Sequence, residues 1–336
     1  MEKVHIGKTG LVVSRSGFGA LPIQRISEKE AVSLLRKAYD NGIDFYDTAR
    51  NYSDSEGKIG AALSGVRQKI IIATKTAAKT KEDLFKDLAV SLKKLKTDYI
   101  DILQLHNPDT LPDPDDPKSS YAGLLEARKK GMVRYLGLTN HKLQLATEAV
   151  RSCLYDTVQF PLNTLSSENE LEIIETCKNA GCGLIAMKAM SGGLIKNASS
   201  AFAFLRQFDN VIPVWGIQKE AELDEFLYYE KEPPCLNDIM WQIIENDRKE
   251  LAGQFCRGCG YCMPCSAGID IPWAARMSLL LRRAPSQNFN NSYWKEKMET
   301  IKNCTGCGNC KQKCPYGLNI PELLKENLDD YKRFFG

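Results

Sequence analysis

Apolar runs and segments of helical periodicity alternate along residues 16–229 of this 336-residue chain. The apolar runs have the length of buried strands, and the periodic segments have the length of helices. Eight such pairs predict a parallel sheet that closes into a (β/α)8 TIM barrel of the α/β class, with its helices outside. We expect strands at 16–19, 43–47, 70–75, 99–106, 133–139, 157–160, 183–188 and 211–215. We expect helices at 28–41, 55–64, 81–95, 121–130, 143–151, 168–180, 199–208 and 221–229.

Two short apolar runs precede the barrel, at 4–6 and 11–13, on either side of Gly7-Lys8-Thr9-Gly10. A glycine-containing turn between two such runs is typical of a β-hairpin. We expect this hairpin to close the floor of the barrel.

Three successive predicted strands carry a polar group at their C-terminal end. Asp47 closes the second strand, and Tyr52 follows in the loop. Lys75 closes the third strand and His106 the fourth. Active sites of (β/α)8 barrels are built at this rim, because the strand ends converge there on one mouth. The loop 107–120, rich in Pro and Asp, leaves the same rim and is expected to form a wall of the substrate pocket.

In order, spacing and strand context, these four residues resemble the catalytic tetrad of the aldo-keto reductases. The resemblance implies that a carbonyl and an alcohol are interconverted by hydride transfer from NAD(P)H. Tyr52 would be the general acid, His106 would orient the carbonyl, and Asp47 would keep Lys75 charged. Because a free tyrosine has a pKa of about 10, Lys75 is expected to lower the pKa of Tyr52. Each residue alone has an ordinary structural role open to it, and the joint occurrence favours the tetrad.

Further matches concern the cofactor. The resemblance implies that Thr139, Asn140 and Gln159 contact the nicotinamide carboxamide. It also implies that Gly192 and Gly193 belong to the loop beside the cofactor phosphates. The implied cofactor is therefore NADP(H) or NAD(H).

Two departures from the family pattern bear on that cofactor. Met187 stands where many members stack an aromatic ring on the nicotinamide. Residues 222–226, Glu-Leu-Asp-Glu-Phe, stand where the family has Arg-x-x-Glu-Asn, which grips the 2′-phosphate and the adenine. An acidic residue repels a 2′-phosphate, so ordinary NADP binding is not expected. Gly216, Lys219 and Trp215 offer a different grip, and NADPH, NADH and a lost nicotinamide site all stay open.

The C-terminal part of the chain contains an internal repeat of cysteines. Cys256-x2-Cys259-x2-Cys262-x2-Cys265 recurs as Cys304-x2-Cys307-x2-Cys310-x3-Cys314. The second copy matches the signature of bacterial ferredoxins, in which the fourth cysteine serves the other of two clusters. On that resemblance one [4Fe-4S] cluster takes Cys256, Cys259, Cys262 and Cys314, and the other takes Cys304, Cys307, Cys310 and Cys265. The first copy has one residue fewer before its last cysteine, which leaves the cluster served by Cys265 open.

Zinc is the alternative occupant, but zinc sites usually pair two C-x2-C units rather than four cysteines in tandem. The chain has 12 cysteines, and the remaining four show no metal spacing. We expect these four to be buried as small apolar side chains: Cys153, Cys177, Cys182 and Cys235.

The expected domain organisation has three parts. The barrel occupies 1–232, and a connecting amphipathic helix lies within 233–252, after Pro233-Pro234. A small ferredoxin-like α+β domain with two [4Fe-4S] clusters occupies 253–336.

Composition bears on partners and location. The net charge of +3, from 45 basic and 42 acidic residues, gives no field that would favour nucleic acid or an anionic membrane as partner. The N-terminus has no signal-peptide pattern, and no run of 18 apolar residues occurs. We therefore expect a soluble cytoplasmic protein.

Three functions are compatible with the sequence. In the first, which we predict, an NAD(P)H-dependent oxidoreductase acts on a small-molecule carbonyl or alcohol, and the clusters are structural or sense redox state. In the second, a redox protein donates electrons through the clusters to the barrel, with a flavin as converter, because nicotinamide passes two electrons and each cluster one. In the third, an electron carrier is attached to an inactive barrel. Intact Tyr52 and Lys75 argue against the third function, whereas Met187 and Glu222 favour the second.

Overall fold

The computed structural model describes residues 1–251, 253 and 255–336. Strands β3 to β10 are parallel, each pairs with the next, and β10 pairs with β3 to close an eight-stranded barrel. The predicted (β/α)8 fold is therefore confirmed. The strands are β1 (Lys3–His5), β2 (Val12–Ser14), β3 (Gly17–Gly19), β4 (Phe45–Asp47), β5 (Ile71–Thr76), β6 (Ile100–His106), β7 (Val133–Thr139), β8 (Thr157–Pro161), β9 (Gly183–Met187) and β10 (Val211–Gly216).

Helices follow the barrel strands and continue to the C-terminus. In the described ranges they are α1 (Glu28–Asp40), α2 (Ser55–Leu63), α3 (Lys81–Leu95), α4 (Ser120–Lys129), α5 (Leu143–Arg151), α6 (Glu168–Ala180), α7 (Ala198–Arg206), α8 (Glu220–Lys231), α9 (Asp238–Glu250), α10 (Ile271–Ala274), α11 (Met277–Arg283), α12 (Ser292–Glu299), α13 (Asn309–Gln312) and α14 (Ile320–Phe335). None of these helices combines the length and the apolar character needed to cross a membrane.

Helix α1 illustrates why the periodic segments are helical. The Ser27 hydroxyl accepts a hydrogen bond from the Glu30 amide, and the Glu30 carboxylate accepts one from the Ser27 amide. This capping box satisfies two amides that have no partner within the helix. The apolar residues of α1 recur on one face and are buried: Ala31, Leu34, Leu35 and Ala38.

The N-terminal hairpin closes the barrel floor, as the sequence predicted. β1 and β2 pair antiparallel, and the turn between them passes close to β9. A Cβ at Gly7 would lie 2.4 Å from the Gly183 nitrogen, so only glycine fits at this point. Apolar hairpin residues and inward-facing strand residues form one buried cluster: Ile6, Leu11, Val13, Phe45, Ala73, Ile102, Ile185, Ile212 and Val214.

The chain divides into two compact units whose limits differ from the expected domains. The first unit is Met1–Ala189 with Ser199–Trp241, and the second is Met190–Ala198 with Gln242–Gly336. Helix α9 lies where the amphipathic connecting helix was expected, whose predicted end at Ala252 falls outside the described residues. The segment Met190–Ala198, which follows β9, belongs to the unit that carries the cysteine repeat.

The second unit is helical. Its described residues contain no strand, so the expected α+β character is wrong for this part of the chain. After each cysteine run an Ile-Pro pair begins a helix, α10 or α14, because proline fits the first helical turn. Helix α14 then buries Leu324, Leu328 and Tyr331 on one face.

The four cysteines outside the repeat fall into two groups. Cys177 and Cys182 are buried as predicted, whereas Cys153 and Cys235 are exposed. Cys153 has a positive φ of 56° in the turn after α5, and Cys235 lies in the irregular segment before α9. Both positions are in connections, which usually run over the protein surface.

Candidate active site

Three neighbouring strands deliver the predicted site residues to one rim of the barrel. β4 ends at Asp47, Lys75 is the penultimate residue of β5, and β6 ends at His106. In the sheet register Lys75 lies beside Gln104, and His106 lies beside Thr139. The parallel register therefore sets these polar side chains side by side.

Lys75 and Asp47 form a buried ion pair at this rim. The Lys75 Nζ atom donates to both carboxylate oxygens of Asp47, at 2.8 and 2.7 Å, and to the Thr48 carbonyl at 2.7 Å. Burial lowers the pKa of Lys75, and the Asp47 charge opposes this effect. Removing either partner would leave an uncompensated charge in the barrel, which typically costs about 3–5 kcal/mol.

Gln104 is a further contact of Asp47 that the sequence reasoning missed. Its Nε2 atom donates to the Asp47 carboxylate at 3.3 Å. Gln104 lies two residues before His106 on β6, and side chains two apart on a strand share a face. This alternation could have identified Gln104 from the sequence. The Thr48 carbonyl gave no such signal, because any residue type supplies a backbone carbonyl.

Tyr52 lies next to both Lys75 and His106. The Lys75 Nζ atom is 5.2 Å from the centroid of the Tyr52 ring. The Tyr52 and His106 ring centroids are 5.8 Å apart, with the rings at 80° to each other. The four predicted residues, Asp47, Tyr52, Lys75 and His106, therefore lie together at the rim of the barrel.

The pKa of Tyr52 is raised, by burial first and by the Asp47 charge second. The expectation that Lys75 lowers this pKa is therefore wrong in this structure. Asp47 binds Lys75 through both carboxylate oxygens, and its own negative charge disfavours a phenolate at Tyr52. Tyr52 consequently keeps its proton at neutral pH.

His106 is held in its neutral form. Burial first and the Lys75 charge second lower the pKa of His106 to about 3. A neutral imidazole still carries one N–H donor, and this donor can hydrogen-bond to a carbonyl oxygen.

A second buried carboxylate anchors the loop between Asp47 and Tyr52. Glu56, on α2, accepts a hydrogen bond from the Thr74 hydroxyl at 2.7 Å and forms an ion pair with Arg50. The Arg50 amide donates to the Lys75 carbonyl at 2.9 Å. The loop that carries Tyr52 is thereby tied to β5, a contact that the sequence pattern did not indicate.

The residues expected at the nicotinamide carboxamide are buried at the ends of β7 and β8. Thr139 lies beside Gln159 in the sheet register. Both polar atoms of the Gln159 amide are buried without a hydrogen-bond partner among the described residues. Buried amides are normally paired, so this one fits a complementary amide such as a carboxamide.

Asn140 and Met187 have internal contacts. The Asn140 Nδ2 atom donates to the Pro108 carbonyl at 2.8 Å, and its Oδ1 atom accepts from the Lys142 amide at 2.8 Å. Asn140 therefore holds the start of the loop 107–119. Met187 ends β9, and its sulfur accepts a hydrogen bond from the Thr139 hydroxyl at 3.8 Å.

The start of α8 is occupied by the protein's own carboxylate. Gly216 ends β10, and Lys219 is the N-cap of α8. The Glu222 carboxylate accepts hydrogen bonds from the amides of Gln218 and Lys219, at 2.9 and 3.1 Å. Free amides at a helix start favour a phosphate, and here a negative charge already fills that role. These residues do not fit the 2′-phosphate of NADP.

Phe226 packs against the same strand end. Its ring stacks on Trp215 with centroids 4.3 Å apart and planes 20° apart. In the sequence comparison above, Phe226 replaces an asparagine of the Arg-x-x-Glu-Asn pattern. An apolar ring thus stands where an amide was expected.

The first cysteine run and Cys314 form one set of thiols. Burial is the largest cause that raises the pKa of Cys256, and the neighbouring thiols of Cys259 and Cys314 add to it. Burial, followed by Cys256 and Cys259, raises the pKa of Cys262 to about 12, and Cys310 of the second run adds to the rise. The Gly258 amide donates to the Cys256 sulfur at 3.4 Å, a contact common at iron–sulfur ligands.

The second run forms another set. Burial raises the pKa of Cys310, and Cys304 and Cys307 contribute to the rise. The pKa of Cys307 is lowered by the Asn309 amide first and also by the hydroxyl of Ser266, the residue after Cys265. The crossed ligand assignment stays a prediction, because Cys262 of the first run also interacts with Cys310 of the second. Within the described residues, no three His, Cys, Asp or Glu side chains converge closely enough to hold a single metal ion.

Gly192 and Gly193, expected beside the cofactor phosphates, lie in the segment Met190–Ala198 of the second unit. Both have positive φ values, of 67° and 91°. A left-handed backbone of this kind favours glycine.

Comparison with known proteins agrees with the barrel fold, here that of an oxidoreductase family. Residues 16–227 match the aldo/keto reductase family, and the chain belongs to that family. Residues 255–319 match a 4Fe-4S dicluster domain.

Curated relatives match part of this chain. The aldo-keto reductase YhdN of Bacillus subtilis is 29% identical over 214 residues, covering 58% of this chain and 64% of YhdN. The L-galactose dehydrogenase of Arabidopsis thaliana is 28% identical over 214 residues, covering 58% of this chain and 67% of that protein. The aldo-keto reductase AFTS1 of Alternaria alternata is 28% identical over 240 residues, and this chain spans 65% of its length.

Solved structures show the same barrel. The aldo-keto reductase AKR11C1 of Bacillus halodurans, in its holo form, superposes with a TM-score of 0.64 at 22% identity. The match covers 74% of this chain and 96% of that one. At this identity the likeness supports the fold alone.

Proposed function

We propose that the protein interconverts a small-molecule carbonyl and its alcohol, with Tyr52 as the proton donor and NAD(H) as the hydride carrier. The observation that carries this proposal is the packing of Tyr52 against the Lys75–Asp47 pair and His106. When bound, NADH would supply one hydride to the carbonyl carbon. Tyr52 gives its phenolic proton to the carbonyl oxygen, so the product is a neutral alcohol.

The other rim residues orient the reacting groups. Neutral His106 donates a hydrogen bond to the carbonyl oxygen, where negative charge develops. Lys75 is fixed by Asp47 and the Thr48 carbonyl, so its ammonium group stays beside the phenolate that Tyr52 becomes. The unpaired Gln159 amide would hold the carboxamide, and the loop 107–119, tied to Asn140, supports a substrate wall.

NAD(H) is proposed over NADP(H) because of Glu222. Its carboxylate lies on the amides at the start of α8, and a 2′-phosphate placed there would be repelled. Met187 leaves the nicotinamide without an aromatic stacking partner at this position.

Substitution of Tyr52 tests the proposal. Tyr52→Phe removes the proton donor but keeps the ring, and we expect carbonyl turnover to fall by about 10²- to 10⁴-fold. Iron content and NADH binding should equal those of the wild type. Turnover retained in this variant would remove Tyr52 from the mechanism.

A second function is supported by the start of α8. In this function the barrel binds no dinucleotide, and a redox protein supplies electrons through the clusters with a flavin as converter. It is favoured because Glu222 occupies the helix start and Phe226 stacks on Trp215. Anaerobic titration of the iron-replete protein with NADH and NADPH separates the two functions. Micromolar NADH binding supports the first function, and binding of neither nucleotide supports the second.

A further inference from the structure

Exposure to solvent divides the eight cysteines of the repeat, all of which the structure describes. Cys307 is exposed, whereas each of the other seven is buried or partly buried. Cys256 and Cys262, of the first run, are only 6% and 9% exposed. A cluster bound by Cys307 therefore lies at the surface of the second unit.

Small residues leave this cysteine uncovered. Gly306 and Gly308 flank Cys307, and a Cβ built at either glycine would meet no atom within 4 Å apart from its chain neighbours. Both glycines have positive φ, 68° and 75°, which disfavours a side chain at these positions. Thr305 and Asn309, the next residues on either side, are exposed. Because electron transfer needs a close approach of donor and acceptor, this part of the surface is open to a redox partner.

The same stretch of the second unit is basic. Residues 300–321 include three lysines and no aspartate or glutamate. Lys302 is paired with Glu299. Lys311, on α13, and Lys313, its C-cap residue, are exposed, and neither forms an ion pair with a described residue. Two uncompensated positive charges thus follow the exposed cysteine within six residues.

We propose that this surface, residues 305–309 with Lys311 and Lys313, docks a small acidic protein that carries one electron. The carrier exchanges its electron with the cluster bound by Cys307. In the direction of reduction, one electron leaves the carrier and enters the cluster, and no bond is made or broken.

Charge and size both fit such a partner. Complementary charge steers two proteins together and raises their association rate. Electron-transfer contacts are among the smallest protein interfaces, so a short exposed segment is large enough.

The inference goes beyond the proposed carbonyl chemistry, because it needs the dicluster domain but no dinucleotide. For the second function considered above, it names the entry point of the electrons and the charge of their carrier.

The first experiment mixes chemically reduced, iron-replete protein with oxidised cytochrome b5, an acidic one-electron acceptor, in an anaerobic stopped-flow instrument. The second-order rate constant should fall at least about tenfold between low and high ionic strength, because salt screens the attraction. With cytochrome c, a basic acceptor, the rate constant should rise with salt. A rate constant for cytochrome b5 that is independent of salt, or that increases with it, would overturn the inference.

Charge reversal locates the surface. Lys311→Glu/Lys313→Glu should slow the reaction with cytochrome b5 about tenfold at low ionic strength, and its rate should approach that of the wild type at high ionic strength. The control, Lys29→Glu/Lys69→Glu, makes the same change in net charge at two exposed lysines of the first unit. Equal slowing in the two double variants would show that the charge of the whole protein governs the reaction, and would refute a docking surface at Cys307.

A further readout separates docking from simple compensation of the thiolate charge. Lysines that only offset this charge would change the cluster potential and the limiting rate at saturating cytochrome b5. Loss of a docking surface instead raises the acceptor concentration needed for half-saturation and leaves the limiting rate unchanged. A lower limiting rate with an unchanged half-saturating concentration would contradict docking.

Two more variants keep the test decisive if Lys311→Glu/Lys313→Glu loses iron. Lys311→Gln/Lys313→Gln removes both charges without reversing them and should slow the reaction several-fold. Thr305→Trp keeps every charge but covers the approach to Cys307, so the limiting rate should fall. An unchanged limiting rate in Thr305→Trp would place the electron exchange away from Cys307. Carbonyl reduction by NADH, assayed on the same proteins, reports the proposed function separately.

Discussion

The surroundings of Tyr52 and His106 shift their pKa values in opposite directions, and both side chains are uncharged at neutral pH as a result. Burial and Asp47 raise the pKa of Tyr52, whereas burial and Lys75 lower the pKa of His106 to about 3. The proposed roles require that Tyr52 carries its phenolic proton and that the His106 imidazole is uncharged. Both conditions hold across the physiological range.

This pair of shifts predicts the pH profile of carbonyl reduction. Because Tyr52 loses its proton only above its usual pKa and His106 gains one only near pH 3, kcat/KM should be nearly flat from about pH 5 to pH 9. Steady-state rates at constant ionic strength would measure it. A rate that falls as pH rises through 7 or 8 would mean that Lys75 lowers the pKa of Tyr52 after all, as the sequence alone suggested.

At the scale of one element, the start of α8 carries the proposed preference for NADH over NADPH. The Glu222 carboxylate caps the helix by accepting hydrogen bonds from the amides of Gln218 and Lys219, directly before its first residue. A helix cap of this kind contributes about 1 kcal/mol. We therefore propose that the same carboxylate both stabilises α8 and disfavours a phosphate at its start.

Replacing that carboxylate should change nucleotide preference. Glu222→Gln keeps a hydrogen-bond acceptor but removes the charge, so NADPH should bind about fivefold more tightly while NADH binding changes little, a difference of about 1 kcal/mol. Fluorescence titration with both nucleotides measures the ratio. The matched control is Glu225→Gln, since Glu225 lies on α8 and pairs with Tyr229 instead. Equal effects of the two substitutions would show that overall charge, not the position of Glu222, sets the preference.

At the scale of the whole molecule, the chain combines two units that depend on different forces. The barrel buries a large apolar core, including the hairpin floor. The second unit is a set of helices around the cysteine runs, and binding of clusters there is coupled to folding. We therefore expect the two units to lose structure under different conditions.

Removal of one cysteine ligand tests this difference. Cys310→Ser should lose cluster absorbance and iron. It should also lower the stability of the second unit, because the remaining cysteines of that ligand set would no longer bind a cluster. Circular dichroism during heating should still show a cooperative transition of the barrel. Cys235→Ser, which changes an exposed cysteine outside the repeat, should keep full iron content. Full iron content in Cys310→Ser would show that the ligand set is wrong.

The sequence alone determined the barrel, its hairpin floor and the positions of Asp47, Tyr52, Lys75 and His106. It could do so because apolar periodicity reports burial, and the strand ends of a parallel barrel meet at one rim. It also identified the dicluster domain, since ligand spacing along the chain is itself the signal.

Only the tertiary structure decided the protonation of Tyr52 and the contacts of Gln104 and Glu222. Each depends on the distance between groups far apart in sequence, and on how far burial removes them from water. The helical character of the second unit was also decided there. A cysteine repeat fixes which thiols are near each other, but the conformation of the connecting segments depends on what they pack against.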